Sequence, residues 1–226
     1  MANPGAKKTR IFDGGIRYFA ATGAHSRENV LKNPCRQCIF QTFPPRTAGA
    51  DNFLLDEVVI MSVAVVMGSK SDLEIVRGAL DTLDSFGVEY TARVISAHRT
   101  PAEAAEFARQ VEASDDVKVV ICAAGMAAHL GGVLASYTTK PIVAIPVPSQ
   151  PFGAADSLLA IVQMPPGIPV AAVTAGKAGG KNAALYAISI LALSDPELAE
   201  KLRDFRRRQR EQIIAADAEL QKELGK

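Results

Sequence analysis

From Met61 onward, apolar residues fall into two alternating patterns. The runs Val63-Ala64-Val65-Val66-Met67 and Val117 to Ala123 are nearly continuous, as expected for strands buried on both faces. Tyr90 to Ile95, Ile142 to Ile145 and Val170 to Val173 complete a set of five predicted strands. Between them apolar residues recur at helical spacing. Ile75, Val76, Ala79, Leu80, Leu83 and Phe86 form one stripe, stopped by Gly87. Thr100 is placed to cap a second helix, with Pro101 at its first position, where a missing N–H costs nothing. Further helices are predicted over Ala127 to Tyr137, through Asp156, Leu158, Leu159, Ile161 and Val162, and over Asn182 to Leu193. Ser194-Asp195-Pro196-Glu197 starts a last one, whose first apolar stripe is Leu198, Leu202 and Phe205. Strand alternating with helix implies right-handed crossovers. The predicted fold is α/β, a parallel sheet of about five strands with helices on both faces.

Residues 1–60 show no such period. Their Cys35-x-x-Cys38 pair lacks the two further ligands a zinc site needs, with only His25 nearby, and no strand leads into it as a redox motif requires. This segment is expected to be a disordered extension, or one the cell does not translate, with residues 61–226 forming the functional domain.

Composition narrows the classes. The chain has 226 residues, 48% of them hydrophobic, enough for one substantial core. A net charge of +1 gives no general pull toward nucleic acid or a membrane surface. No stretch is long and apolar enough to span a bilayer, and no apolar block follows the N-terminal lysines as in a secretory signal. Three cysteines, an odd number, argue against a disulfide framework and for a reducing cytoplasm. Arg206-Arg207-Arg208-Gln209-Arg210 could suggest nucleic acid. Asp195 to Lys226 holds eight basic and eight acidic residues, however, so a solvated or subunit-bridging face is the better reading. The many small residues, such as Gly131-Gly132 and Ala183-Ala184, permit the close helix packing of a tight oligomer without requiring it.

The candidate chemistry sits in loops that follow predicted strands. In an open parallel sheet those loops meet at one edge, where ligands bind. Gly68-Ser69-Lys70-Ser71-Asp72 opens a helix, whose unpaired N–H groups suit a phosphate. Asp72 could accept from sugar hydroxyls, or Ser71 or Asp72 could simply be the helix cap. Ser96-Ala97-His98-Arg99-Thr100-Pro101 pairs a proton carrier with a guanidinium able to hold phosphate through two N–H groups. His129 stands near a short helix start, where the dipole favours its neutral form. Gly176 to Asn182 is read as another small-residue loop, within reach of a ligand or a neighbouring subunit. Cys122 is read as a small buried hydrophobe.

Met67-Gly68-Ser69-Lys70-Ser71-Asp72, Ser96-Ala97-His98-Arg99-Thr100-Pro101, Ala127-Ala128-His129-Leu130 and Ile161-Val162-Gln163-Met164-Pro165 with Gly167-Ile168-Pro169-Val170 together resemble one family. It is the N5-carboxyaminoimidazole ribonucleotide mutases of purine synthesis. The resemblance runs from about Met61 into the C-terminal helix. It implies a three-layer, flavodoxin-like subunit, assembled as a homo-octamer, with no metal and no cofactor. It implies a small ribonucleotide substrate held by Ser69, Asp72 and Arg99, with Ser71 and Ser96 close by and Gly125, Ala127 and Leu130 in the lining. His98 would be the general acid/base, and His129 would position the carboxylate or relay the proton. The pattern departs from the family at Met126, where glycine is usual, and at Gly131, where proline is usual. Pro146 to Phe152 is closer to a related carboxylase branch that uses free CO2. Arg99 and Gly176-Lys177-Ala178-Gly179 favour the mutase. Two other classes fit less well. A flavin-binding module needs a stacking aromatic near these loops, and a phosphoacceptor domain needs an acidic cluster at the strand ends.

Overall fold

The computed structural model describes residues 61–225. The expectations for residues 1–60, the Cys35 and Cys38 pair among them, lie outside the described part. Five strands, β1 (Ser62–Met67), β2 (Glu89–Val94), β3 (Val117–Gly125), β4 (Ile142–Val147) and β5 (Ala171–Ala172), form one parallel sheet in the order β2-β1-β3-β4-β5. Between and after them run α1 (Leu73–Phe86), α2 (Pro101–Ala113), α3 (Leu130–Ala135), α4 (Ala155–Val162), α5 (Lys177–Leu191) and α6 (Pro196–Glu223).

The unbroken apolar runs follow from two dry faces. Val63, Val65 and Met67 of β1 pack with α1, α5 and the start of α6. Ala64 and Val66, pointing the other way, pack with α2, α3 and Ile161 of α4. Burying one such valine or isoleucine contributes about 1.5–3 kcal/mol, so both layers hold the central strands. β2 is the exception. Among the described residues it pairs only with β1, and most of its side chains are exposed, as an edge strand with polar residues allows.

Strand order fixes where a ligand can sit. The chain leaves β1 for β2 on one side, then crosses back to β3 on the other. Right-handed crossovers therefore put α1 and α2 on opposite faces. The loops after β1 and β3 diverge, which opens a crevice at the carboxyl ends of these strands.

Several boundaries differ from the sequence reading. The fifth strand shrinks to Ala171 and Ala172, and the short third helix starts at Leu130 rather than Ala127. Gly176 to Asn182 is not a loop: α5 begins at Lys177 and runs through both glycines, ending at Leu191. Glycine disfavours helix locally by about 1 kcal/mol relative to alanine, which is why the pattern hides this turn. Packing overrides that preference. A Cβ on Gly180 would press onto the Ile75 carbonyl oxygen and lie 3.1 Å from the Ala79 nitrogen, so α5 crosses α1 backbone against backbone. Gly78 returns the fit from the α1 side, its own Cβ position 3.5 Å from the Lys181 nitrogen. Lys177 pairs with Glu74 of α1 at 2.5 Å.

α6 begins as the sequence indicates, with Asp195 accepting from the Leu198 N–H at 3.0 Å and Pro196 at the first position. Leu198 is buried, and Leu202 and Phe205 pack against the core. Lys201 Nζ donates to the Phe86 carbonyl at 3.0 Å, satisfying a free acceptor at the end of α1. Further along, Arg203 pairs with Glu200 and Arg207 with Asp204, at 2.5 and 2.7 Å. The basic cluster is thus part of an ion-paired, solvated helix face. No helix among the described residues is long and apolar enough to cross a membrane.

Candidate functional site

The loops after β1, β2, β3 and β4 surround a cavity of about 610 Å³ at the carboxyl edge of the sheet. All ten residues singled out from the sequence line it: Ser69, Ser71 and Asp72; Ser96, His98 and Arg99; Gly125, Ala127, His129 and Leu130. Gly176 to Asn182 does not belong to this lining.

The first wall is a closed turn. Ser69, in extended backbone at φ −150° and ψ 151°, caps a short 3₁₀ turn over Lys70–Asp72. Its side-chain oxygen accepts from the Ser71 N–H at 3.3 Å, and its own N–H donates to Asp72 Oδ2 at 3.0 Å. Ser69 thus caps the 3₁₀ turn, while Asp72 stands at the cap position of α1 without a side-chain cap bond there. Asp72 is only 8% exposed, and burial raises its pKa above the ordinary carboxylate value. The Ser69 N–H, the Ser71 hydroxyl and the Arg99 charge oppose that rise. Each carboxylate oxygen has two acceptor sites, so Asp72 can close the turn and still accept a hydroxyl from the cavity.

Arg99 bridges two loops. Its Nη2 donates to the Gly68 carbonyl at 3.0 Å and its Nε to Ser96 Oγ at 3.3 Å. Of five guanidinium N–H groups, those not held this way remain for an anion. Thr100 does not cap α2 with its side chain, as its sequence position suggested. Its Oγ1 accepts from the Ser96 N–H at 2.9 Å and donates to the Ser96 carbonyl at 3.0 Å. The hydroxyl thereby tightens the loop that carries His98 and Arg99.

The two histidines meet over the crevice. His98 Nε2 lies 2.8 Å from His129 Nδ1, and the rings stand edge to face, with centroids 4.9 Å apart and planes at 85°. A hydrogen bond at this distance takes one hydrogen, from one ring, so the pair is a ready proton path. His129 is held at the start of α3, its carbonyl accepting from the Val133 N–H at 2.9 Å.

Small residues shape the floor. A Cβ on Gly125 would come within 3.2 Å of the Val147 carbonyl, so β3 and β4 end in close contact there. Met126 and Ala128 follow with φ of 54° and 35°, the left-handed region that side chains resist. The glycine usual in the resembling family at the Met126 position fits that backbone. Met126→Gly is accordingly expected to stabilise the fold by about 1 kcal/mol, raising the melting temperature by about 2–4 °C. A thermal melt of the variant beside the parent reads this directly. Gly131 has its own cause: a Cβ there would lie 3.1 Å from Cys122 Sγ and 3.3 Å from Val170 Cγ1. Cys122 itself is fully buried, its thiol pushed up to about 12, and it is the inert core residue expected.

The sequence reading missed Met126, Val147, Pro148 and Ser149, which complete the lining. The signal was available for the last three. They end or follow a parallel strand at the same edge as the other loops, and Ser149 carries a hydroxyl like the serines of the first two loops.

Residues 62–212 match the family described as AIR carboxylase. The N5-carboxyaminoimidazole ribonucleotide mutase of Saccharolobus solfataricus is 47% identical over 157 residues, covering 70% of this chain and 98% of that protein. The protein of the same name from Bacillus subtilis is 44% identical over 158 residues, covering 70% and 97%. A crystal structure of Treponema denticola PurE superposes with a TM-score of 0.65 at 34% identity, covering 70% of this chain and 97% of the other. With the match spanning the sheet, its helices and every loop of the cavity, the chain belongs to the AIR carboxylase family.

Proposed function

We propose that the protein is an isomerase that converts N5-carboxyaminoimidazole ribonucleotide to 4-carboxy-5-aminoimidazole ribonucleotide in purine biosynthesis. One observation carries the reading: a partly free guanidinium and a linked histidine pair share one cavity lined largely by small residues. The names of relatives at 44–49% identity support the mutase over a carboxylase that takes free CO2.

The chemistry balances with these groups. The carbamate N–C bond breaks, its electron pair stays on the exocyclic nitrogen, and that nitrogen takes a proton from His98. The CO2 released is held against the glycine and alanine lining, away from water. Carbon C4 of the imidazole then attacks it, and the proton displaced from C4 returns to His98, with His129 as relay or carboxylate anchor. No net proton is consumed. Ser69, Asp72 and Arg99 hold the ribonucleotide, with Arg99 on the phosphate. Exposed Leu158, Leu159 and Val162 on α4 support the further expectation of self-assembly.

The test is direct. Purified protein is mixed with the carbamate ribonucleotide, and separately with aminoimidazole ribonucleotide plus bicarbonate. The mutase reading expects rapid conversion of the first and slow conversion of the second; the reverse order would favour the carboxylase. Arg99→Ala is expected to raise KM more than it lowers kcat, because the phosphate is unchanged by reaction and its contact is uniform binding. Steady-state kinetics with unchanged KM and collapsed kcat would contradict that role.

A further inference from the structure

We propose that Ser149, oriented by Asp156, is a substrate-positioning residue that accepts a hydrogen bond from the exocyclic N–H of the bound aminoimidazole. The proposal deepens the ribonucleotide reading and rests on it.

Ser149 lines the cavity from the loop after β4. Its backbone N–H is taken by the Gly153 carbonyl, which closes that loop on itself. Its hydroxyl donates to Asp156 Oδ2 at 3.2 Å, at the start of α4. The other carboxylate oxygen accepts from the Ser157 N–H at 2.8 Å. Ser157 is fully buried, and its hydroxyl lies 3.1 Å from the Val147 carbonyl and 3.2 Å from that of Ala154, tying the helix start to the strand end. Asp156 is thus anchored on one side and directs Ser149 on the other.

The polarity is what matters. A hydroxyl has one hydrogen, and here a carboxylate takes it. Ser149 can then offer the cavity only lone pairs, so it selects a donor. Arg99 is donor only, and the acceptor carboxylate of Asp72 belongs to the β1 loop, where its Oδ2 closes the Ser69 turn. Ser149 also stands two strands from the β1 loop, about 10 Å away, while Arg99 reaches the Gly68 carbonyl on the β1 side. A ribonucleotide anchored by its phosphate at Arg99 brings its heterocycle toward Ser149. The exocyclic N–H is a pure donor; a ribose hydroxyl can donate or accept and needs no fixed polarity.

Asp156→Asn tests this without removing a hydrogen bond. The Ser157 N–H keeps asparagine's Oδ1, so its Nδ2–H faces Ser149. The serine hydroxyl then accepts from asparagine and turns its own hydrogen into the cavity, donor against donor. Ser149→Ala is expected to weaken aminoimidazole ribonucleotide binding about fivefold, and Asp156→Asn about tenfold or more. In the Ser149→Ala background, Asp156→Asn should add nothing. Additive effects in this cycle would mean that Asp156 acts through the fold and would overturn the assignment. Inhibition by ribose 5-phosphate separates the donors: it should be unaffected by Ser149→Ala. A matching loss there would assign the contact to a ribose hydroxyl and overturn the N–H. Parent protein that fails to bind aminoimidazole ribonucleotide at all would instead sink the ribonucleotide reading.

Discussion

Replacing His98 with asparagine is expected to leave folding and ribonucleotide binding intact while slowing turnover by about 10²–10⁴-fold. His98 is exposed, so its loss opens no core cavity. Its side-chain hydrogen bond is to His129 at 2.8 Å, and neighbouring Arg99 is held independently by Gly68 and Ser96. Asparagine keeps polarity but cannot exchange a proton near neutrality. The reaction needs a proton at the exocyclic nitrogen and its removal at C4, and among the described residues His129 is the other imidazole lining the cavity. A melting curve, a binding isotherm and single-turnover rates separate the three properties. Turnover near that of the parent would remove His98 from the mechanism.

A large structural effect is expected at Gly180. Gly180→Ala drives a Cβ onto the Ile75 carbonyl and to 3.1 Å from the Ala79 nitrogen. Both atoms are backbone, so no side chain can rotate away and α1 must move off α5. Overpacking of this kind costs about 3 kcal/mol, the upper end for buried sites, or about 6–12 °C in melting temperature. Alanine's better helix propensity recovers only about 1 kcal/mol of a larger steric penalty. Because α1 follows the Ser69–Asp72 turn directly, the same shift should weaken substrate binding. Thermal melts and KM on one preparation check both. A variant as stable as the parent would show that α1 and α5 separate freely.

Glycine shows how the sequence reading can fail. Gly87 was legible as a stop because it lies where an apolar stripe ends, and the structure gives it φ of 71°. Gly179 and Gly180 look the same locally, yet both lie within α5, with Gly180 facing the backbone of α1 and Gly179 facing the Thr174 carbonyl and Ile145 of β4. Thr100 stands at the cap position of α2 as its sequence indicates, but its hydroxyl bonds elsewhere for a similar reason. A cap and a loop tie compete for one side chain, and the backbone path decides between them.

The sequence by itself determined the strand runs, the alternation that makes the sheet parallel, and the loops that carry Ser69, Asp72, His98, Arg99 and His129. Those features are encoded within a few residues, as periodicity and turn chemistry, and parallel topology gathers every strand's carboxyl end at one edge. Only the tertiary structure decided that His98 and His129, 31 positions apart, share a hydrogen bond. The same holds for Asp156 turning the Ser149 hydroxyl, for the left-handed backbone at Met126, and for the glycine contact of α5 with α1. Each depends on strand order, register and the distance between packed elements. Those quantities are set by the whole core and leave no local period in the chain.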